Sequence, residues 1–180
     1  MAILTVICGP MYSEKSSKLV WYVQRALRAN KRIEVWIPSI DTRSSGDIKT
    51  HSGMSLKDMG VEVQIANEKE DINPLPSTEE VYYDEAQFSG KGFMKTVKCI
   101  LSRGINVTVA GLDMTAEGET FGPMGDLLAR AEVVVKQTAV CFCGQPATMT
   151  FCKIKKTGDI LVGGDAEYEP RCFRCWDDRS

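Results

Sequence analysis

The chain has 180 residues, 43% of them apolar, which suits one ordinary domain, or a domain with a small appendage, and supplies a real core. Its opening apolar run of about eight residues is far too short to span a bilayer and lacks the basic flank and cleavage pattern of a secretion signal, so the expectation is a soluble, cytoplasmic protein with no membrane partner. A formal charge of −2 and a pI of about 5.5 leave no overall basic field to draw nucleic acid, and Lys153-Ile154-Lys155-Lys156 reads as a solvated turn.

Residues 2–8 are β-branched and apolar and end at Gly9-Pro10, the pattern of a buried strand. Leu19, Val20, Val23, Ala26 and Leu27 then recur at three-to-four spacing, which predicts a helix over about 16–29. Residues 32–37 read as a second strand closed by Pro38. Residues 40–59 are polar, rich in Ser and Gly and without period, the composition of a long functional loop. Further strands are expected over 61–65, 80–84 and 106–111, with a helix over 92–102. Strands alternating with helices imply an α/β fold: a mainly parallel sheet flanked by helices, with its chemistry at the C-terminal strand ends. Near residue 138 cysteines, glycines and short alternating stretches replace the long apolar runs, which divides the chain into residues 1–137 and a small C-terminal domain of residues 138–180.

Between the first strand and the first helix lies Gly9-Pro10-Met11-Tyr12-Ser13-Glu14-Lys15-Ser16. The phosphate-binding P-loop is G-x-x-x-x-G-K-[ST], and three of its four fixed positions are present. Such a loop wraps backbone N–H groups from Gly9 through Ser13 and a helix N-terminus around phosphates; Lys15 would reach the β- and γ-phosphates, and Ser16 would ligate magnesium. Glu14 stands where the motif has glycine, adding both a side chain in a loop that needs backbone freedom and a charge beside a polyanion. At ~5 Å and an effective dielectric of ~20 that charge repels by about 3 kcal/mol, roughly a hundredfold in affinity, unless the carboxylate swings to solvent or pairs with Lys15.

Some seventy residues on, Val81-Tyr82-Tyr83-Asp84-Glu85 is an apolar strand running into two acids. Alone, such an ending is a strand meeting solvent. Paired with a P-loop, it is what magnesium-assisted phosphoryl transfer needs: Asp84 to hold the ion through water, and Glu85 to take a proton from the attacking hydroxyl.

Of seven cysteines, four form Cys141-Phe142-Cys143 and Cys172-Phe173-Arg174-Cys175, a spacing that in an intracellular protein favours a metal over disulfides. Structural zinc wants four thiolates, usually as two C-x-x-C knuckles. The second knuckle fits; the first is one residue short, which leaves Cys152 as an alternative ligand. A lobe of about forty residues buries too little to stand without a staple. Cys8 and Cys99 fall in apolar patterns and read as core. His51, the one histidine, has no metal-ligand set around it.

Together the phosphate loop and Asp84-Glu85-Ala86-Gln87-Phe88 resemble the cytosolic (type II) thymidine kinase family. The likeness continues, in family order, through Asp41-Thr42-Arg43, His51-Ser52-Gly53, Gly111-Leu112-Asp113-Met114, Phe121-Gly122-Pro123-Met124, Ala139-Val140-Cys141 and Tyr168-Glu169-Pro170-Arg171-Cys172, nearly the whole chain. It implies a RecA-like P-loop domain and a zinc-ribbon lasso closing over the substrate. It implies transfer of phosphate from ATP, with Mg2+, to the 5′-hydroxyl of thymidine or deoxyuridine. Glu85 matches the family's general base, Arg43 an arginine that helps the transferring phosphate, and Asp41 joins the nucleotide- and magnesium-binding positions. Met11, Phe88, Leu112, Phe121, Thr150 and Tyr168 match side chains lining the nucleoside pocket. Family members are usually homotetramers inhibited by thymidine triphosphate.

The chain departs from that pattern at Glu14, at Ala116-Glu117, where the family tends to have an aromatic and a base, and at Cys152, often basic in relatives. These changes weaken phosphate binding and remove an aromatic wall worth about 1 kcal/mol or more of stacking. An active deoxypyrimidine kinase is therefore weighed against a homologue that binds nucleoside or nucleotide as sensor or partner subunit, and against a P-loop protein whose zinc lobe meets nucleic acid, which the acidic pI opposes.

Overall fold

The computed structural model describes residues 1–40, 47–50, 53–67, 72–154 and 166–178. Six parallel strands form one sheet: β1 (Leu4–Cys8), β2 (Ile33–Pro38), β3 (Val63–Ala66), β4 (Glu80–Tyr83), β5 (Asn106–Gly111) and β6 (Val133–Lys136), in the order β3-β2-β4-β5-β1-β6. Both faces are covered, which is why β1 is buried along its whole length and reads as a continuous apolar run. Leu4, Val6 and Cys8 point to one face, where they meet Phe93, Val97 and Ile100 of helix α2 (Phe93–Ser102) and Met124 and Leu127 of helix α3 (Met124–Arg130). Ile7, Val35, Ile37, Tyr82 and Ala110 point to the other, against Leu19, Val20, Val23 and Ala26 of helix α1 (Lys15–Arg28). Each such fully buried aliphatic side chain contributes about 1.5–3 kcal/mol, and the two apolar layers hold the strand ends in a fixed plane. The expected α/β class is the observed one.

The expected strands and helices appear with ends shifted by at most two residues. The β4 boundary matters most. The strand stops at Tyr83 because Glu85 is left-handed, at φ 53, and an extended strand cannot pass through that conformation. The periodicity reading carries no element over 124–136, where the structure has α3 and β6. At seven residues α3 shows too little of a helical period, and β6 is an edge strand exposing Val133 and Val134.

One further reading gains detail and another is corrected. The described parts of the 40–59 loop are not structureless: Lys49 and Ser55 form an isolated bridge, and Ile48 and Leu56 are buried in the core beside α1. Two apolar residues eight apart leave no periodic signal. Cys99 is exposed, because α2 turns Phe93, Thr96, Val97 and Ile100 inward and leaves position 99 outside that stripe.

After β6 the chain forms two small antiparallel pairs: β7 (Ala139–Val140) with β8 (Pro146–Ala147), and β9 (Met149–Cys152) with β10 (Tyr168–Arg171). A short helix, α4 (Phe173–Asp177), follows.

Candidate active site and metal centre

The loop after β1 turns directly into α1, and two of its residues are left-handed, Tyr12 at φ 63 and Glu14 at φ 61. The Ser13 hydroxyl and the Lys15 ammonium both donate to the Pro10 carbonyl, at 2.8 and 2.6 Å, which closes the loop into a ring. Glu14 is exposed, and its carboxylate takes the Ser17 hydroxyl rather than the Lys15 ammonium. The close-range repulsion expected from the sequence therefore gives way to a solvated charge, while the backbone cost of a left-handed glutamate, about 1–2 kcal/mol, remains. Glu14→Gly is expected to raise stability by about 1 kcal/mol and to tighten ATP binding by less than about tenfold. Denaturant melts and nucleotide titration of the two proteins check it; a hundredfold gain in affinity would mean that the carboxylate faces the phosphates after all.

The acids meet the loop across β5, which separates β4 from β1. Asp84 is buried, and its carboxylate accepts the Ser16 hydroxyl and, at 2.9 Å, the Glu85 N–H. Burial, and after it the neighbouring Glu85 charge, push Asp84 up to about 7 against the pull of Ser16, the Glu85 amide and Lys15. Burial likewise pulls Lys15 down, while Glu85, Asp84 and Asp113 favour its charged form. Two adjacent carboxylates, a hydroxyl and an ammonium thus share a corner at the strand ends, with Asp84 buried and Lys15, Ser16 and Glu85 half-buried around it. The donor set is all oxygen, as magnesium prefers. Asp113, buried at the end of β5, is paired with Lys136 at the end of β6, at 2.9 Å.

Gln87, which the sequence places in the motif after β4 without a role of its own, is 2% exposed. Its amide nitrogen donates to the Glu85 carboxylate, and its amide oxygen accepts the Leu112 N–H at 3.0 Å. Gly122 packs so closely on the Gln87 backbone that a Cβ there would lie 2.1 Å from the Gln87 carbonyl oxygen. A buried amide with both ends engaged orients a carboxylate, and the available signal was a polar residue inside an otherwise apolar turn. Gln87→Met keeps the volume and removes both bonds; turnover is expected to fall about tenfold or more while ATP affinity stays within about twofold. Parallel rate and ATP-binding measurements decide it, and an unchanged rate would mean that Glu85 needs no such support.

Four of the six expected pocket residues fall into linked pairs. Phe88 and Phe121 stand edge to face with centroids 5.5 Å apart. Leu112 is tied to Gln87, and the Met11 N–H donates to Thr150 Oγ1 at 3.1 Å, joining the phosphate loop to β9. Thr150 and Tyr168 are buried on β9 and β10. Asp41, Arg43 and His51 lie outside the described residues.

Cys141, Cys143, Cys172 and Cys175 bring their sulfurs within 4.8 Å of one another, with Cys143 and Cys172 at 3.7 Å. Tetrahedral zinc with bonds of about 2.3 Å needs sulfurs about 3.8 Å apart, so the four thiols fit that ion. The short first knuckle closes because the Gly144 N–H bonds the Cys141 carbonyl at 2.8 Å and the Cys141 N–H bonds the Gln145 carbonyl at 2.9 Å. Burial opposes the Cys141 thiolate, yet the Cys143 and Cys172 amides bring it down to about 6, while the Cys172 hydrogen bond, then burial, hold Cys175 up at about 12. Four clustered thiols cannot all ionise without a cation between them. Cys152 is outside the cluster; its thiol donates to the Ile154 carbonyl at 3.3 Å. Tyr12 of the phosphate loop packs on Ala139, Cys141 and Ala147, a second tie between loop and lobe.

A phosphate loop after β1, an acidic pair after β4 and a four-thiol ribbon define a P-loop α/β protein of phosphotransferase type. The family model for thymidine kinase matches residues 2–176. The chain is 36% identical over 179 residues to the thymidine kinases of Bacteroides fragilis and Bacteroides thetaiotaomicron, covering 96% of its own length and 86% of theirs in each case. The chain belongs to the thymidine kinase family. No helix among the described residues is long and apolar enough to cross a membrane.

Proposed function

We infer that this chain transfers the γ-phosphoryl group of ATP to the 5′-hydroxyl of thymidine or deoxyuridine. The observation that carries the reading is the joining of Ser16 to Asp84, with Lys15 and Glu85 beside them, across the ends of β1 and β4. Ser16 and Asp84 would hold the magnesium that travels with ATP, directly or through water, and that ion would offset charge on the phosphates. Lys15 exchanges its bond to the Pro10 carbonyl for the β- and γ-phosphates. Glu85, its carboxylate turned by Gln87, accepts the proton of the nucleoside hydroxyl as that oxygen bonds to phosphorus and the bond to ADP breaks. Arg43 assists at the phosphate, and Asp41 at the nucleotide and its magnesium.

Met11, Phe88, Leu112, Phe121, Thr150 and Tyr168 would surround the base, beneath a lasso formed by the domain of residues 138–180. Zinc on Cys141, Cys143, Cys172 and Cys175 would be structural, at about one ion per chain. Like its family, the chain would work as a homotetramer in the cytoplasm, bind nucleoside and nucleoside triphosphate, and leave nucleic acid alone. One assay of purified protein with thymidine, deoxyuridine, ATP and magnesium tests the reading: nucleoside monophosphate should accumulate with ADP. Binding without turnover would select the second reading, a sensor or partner subunit, which the left-handed Glu14 in the phosphate loop favours.

A further inference from the structure

The segment from Asp113 to Phe121 is a tight hairpin. Met114 and Thr120 bridge, the Thr115 N–H bonds the Glu119 carbonyl at 2.8 Å, and the Phe121 N–H bonds the Asp113 carbonyl at 3.1 Å. Its base is fixed to the site, since Phe121 stands against Phe88. Its tip is held by the C-terminal lobe. The Trp176 indole N–H donates to the Ala116 carbonyl at 3.0 Å, and the six-membered ring lies on Gly118, where a Cβ would come within 3.0 Å of Cη2 and 3.3 Å of Cζ2. Gly118 has φ +85, so both the turn and the ring demand glycine there. Trp176 directly follows Cys175, and its own backbone N–H bonds the Cys172 carbonyl at 3.0 Å. An unbroken run of contacts therefore leads from the thiol cluster through α4 to the hairpin and on to Phe121.

We propose that Trp176 is a positioning residue for the nucleoside pocket: by clamping the tip of the 113–121 hairpin to the metal-bearing lobe, it sets where Phe121 stands. The ligand's identity rests on the nucleoside-kinase reading; the clamp itself does not. A ring that merely filled space in the lobe would have no reason to spend its one donor on a carbonyl sixty residues away in another segment. Ala116 is small and takes part through its carbonyl, so the tryptophan holds the hairpin where the side chain at 116 has little surface to offer.

The test uses Trp176→Ala and Trp176→Phe, each assayed for zinc per chain, for amide hydrogen exchange and for binding of thymidine and ATP. Trp176→Ala should raise exchange at the Thr115, Gly118 and Phe121 amides by about tenfold or more and weaken thymidine binding about tenfold, with ATP binding within about twofold. Trp176→Phe keeps a ring on Gly118 and loses the donor, so both effects should shrink to about threefold. Should Trp176→Ala lose its metal, the phenylalanine variant decides, and wild-type values in both measurements overturn the proposal. Raised exchange with unchanged thymidine affinity overturns it too, because the hairpin would then move without consequence for the pocket. If wild type binds no thymidine, the kinase reading fails separately, and unchanged exchange in the variants still sinks the clamp.

Discussion

Glu85→Gln is expected to lower turnover by roughly 10²–10⁴ while leaving thymidine affinity within about twofold. The wild-type carboxylate accepts the Gln87 amide. A glutamine must satisfy the same donor, so it turns its oxygen to Gln87 and presents its NH2 group to the nucleoside hydroxyl. The shape survives and the polarity at the reacting atom is reversed. Because the proton moves only in the transition state, the loss belongs in the rate rather than in ground-state binding. Asp84→Asn should behave differently, raising the magnesium concentration needed for activity, since Asp84 is the acid bonded to Ser16. Initial rates beside direct thymidine titrations of wild type and Glu85→Gln make the comparison. Equal turnover in the two proteins would show that Glu85 is not the base.

Cys172→Ser is expected to abolish zinc binding and to unfold the C-terminal lobe, with thymidine affinity lost alongside. Apparent binding free energies for structural zinc are on the order of 10–16 kcal/mol, and in a lobe whose own core is Ala139, Cys141 and Ala147 that energy is folding energy. The damage should not stop at the lobe. Tyr12 packs on that same cluster and the Met11 N–H bonds Thr150, so the phosphate loop loses two of its supports, and ATP affinity should fall by about tenfold or more. Metal analysis, circular dichroism and separate thymidine and ATP titrations check each part. A mutant that keeps its zinc and its nucleoside affinity would show that Cys172 is not a ligand; one that loses zinc but binds ATP normally would show that the loop stands without the lobe.

Much of this molecule is local in its causes and so was readable in advance. The strand before the phosphate loop is continuous because both sheet faces are covered, and α1 carries its apolar stripe in register with the loop that precedes it. The paired acids and the two cysteine knuckles are contiguous words, legible without knowing where they meet. What stayed hidden is whatever depends on partners far away in the chain. The edge strand β6 has an exposed, unremarkable pattern and exists because β1 offers it a ladder. Gln87 looks like any polar turn residue until Leu112 and Glu85 close on either side of it.

The sequence by itself determined the fold class and the family, and it marked the phosphate loop, the acidic pair and the two cysteine pairs as candidates, because each is written in residue type and short-range spacing. Only the tertiary structure decided that Glu14 turns its charge to Ser17, that Cys152 stands apart from the thiol cluster, that Cys99 faces outward, and that Trp176 reaches the 113–121 hairpin. The physical reason is common to all four. A side chain's direction is set by the backbone angle beneath it and by the partners within its reach, near in sequence for Glu14 and Cys152 and sixty residues away for Trp176, and the packing of the whole chain decides which of them it meets.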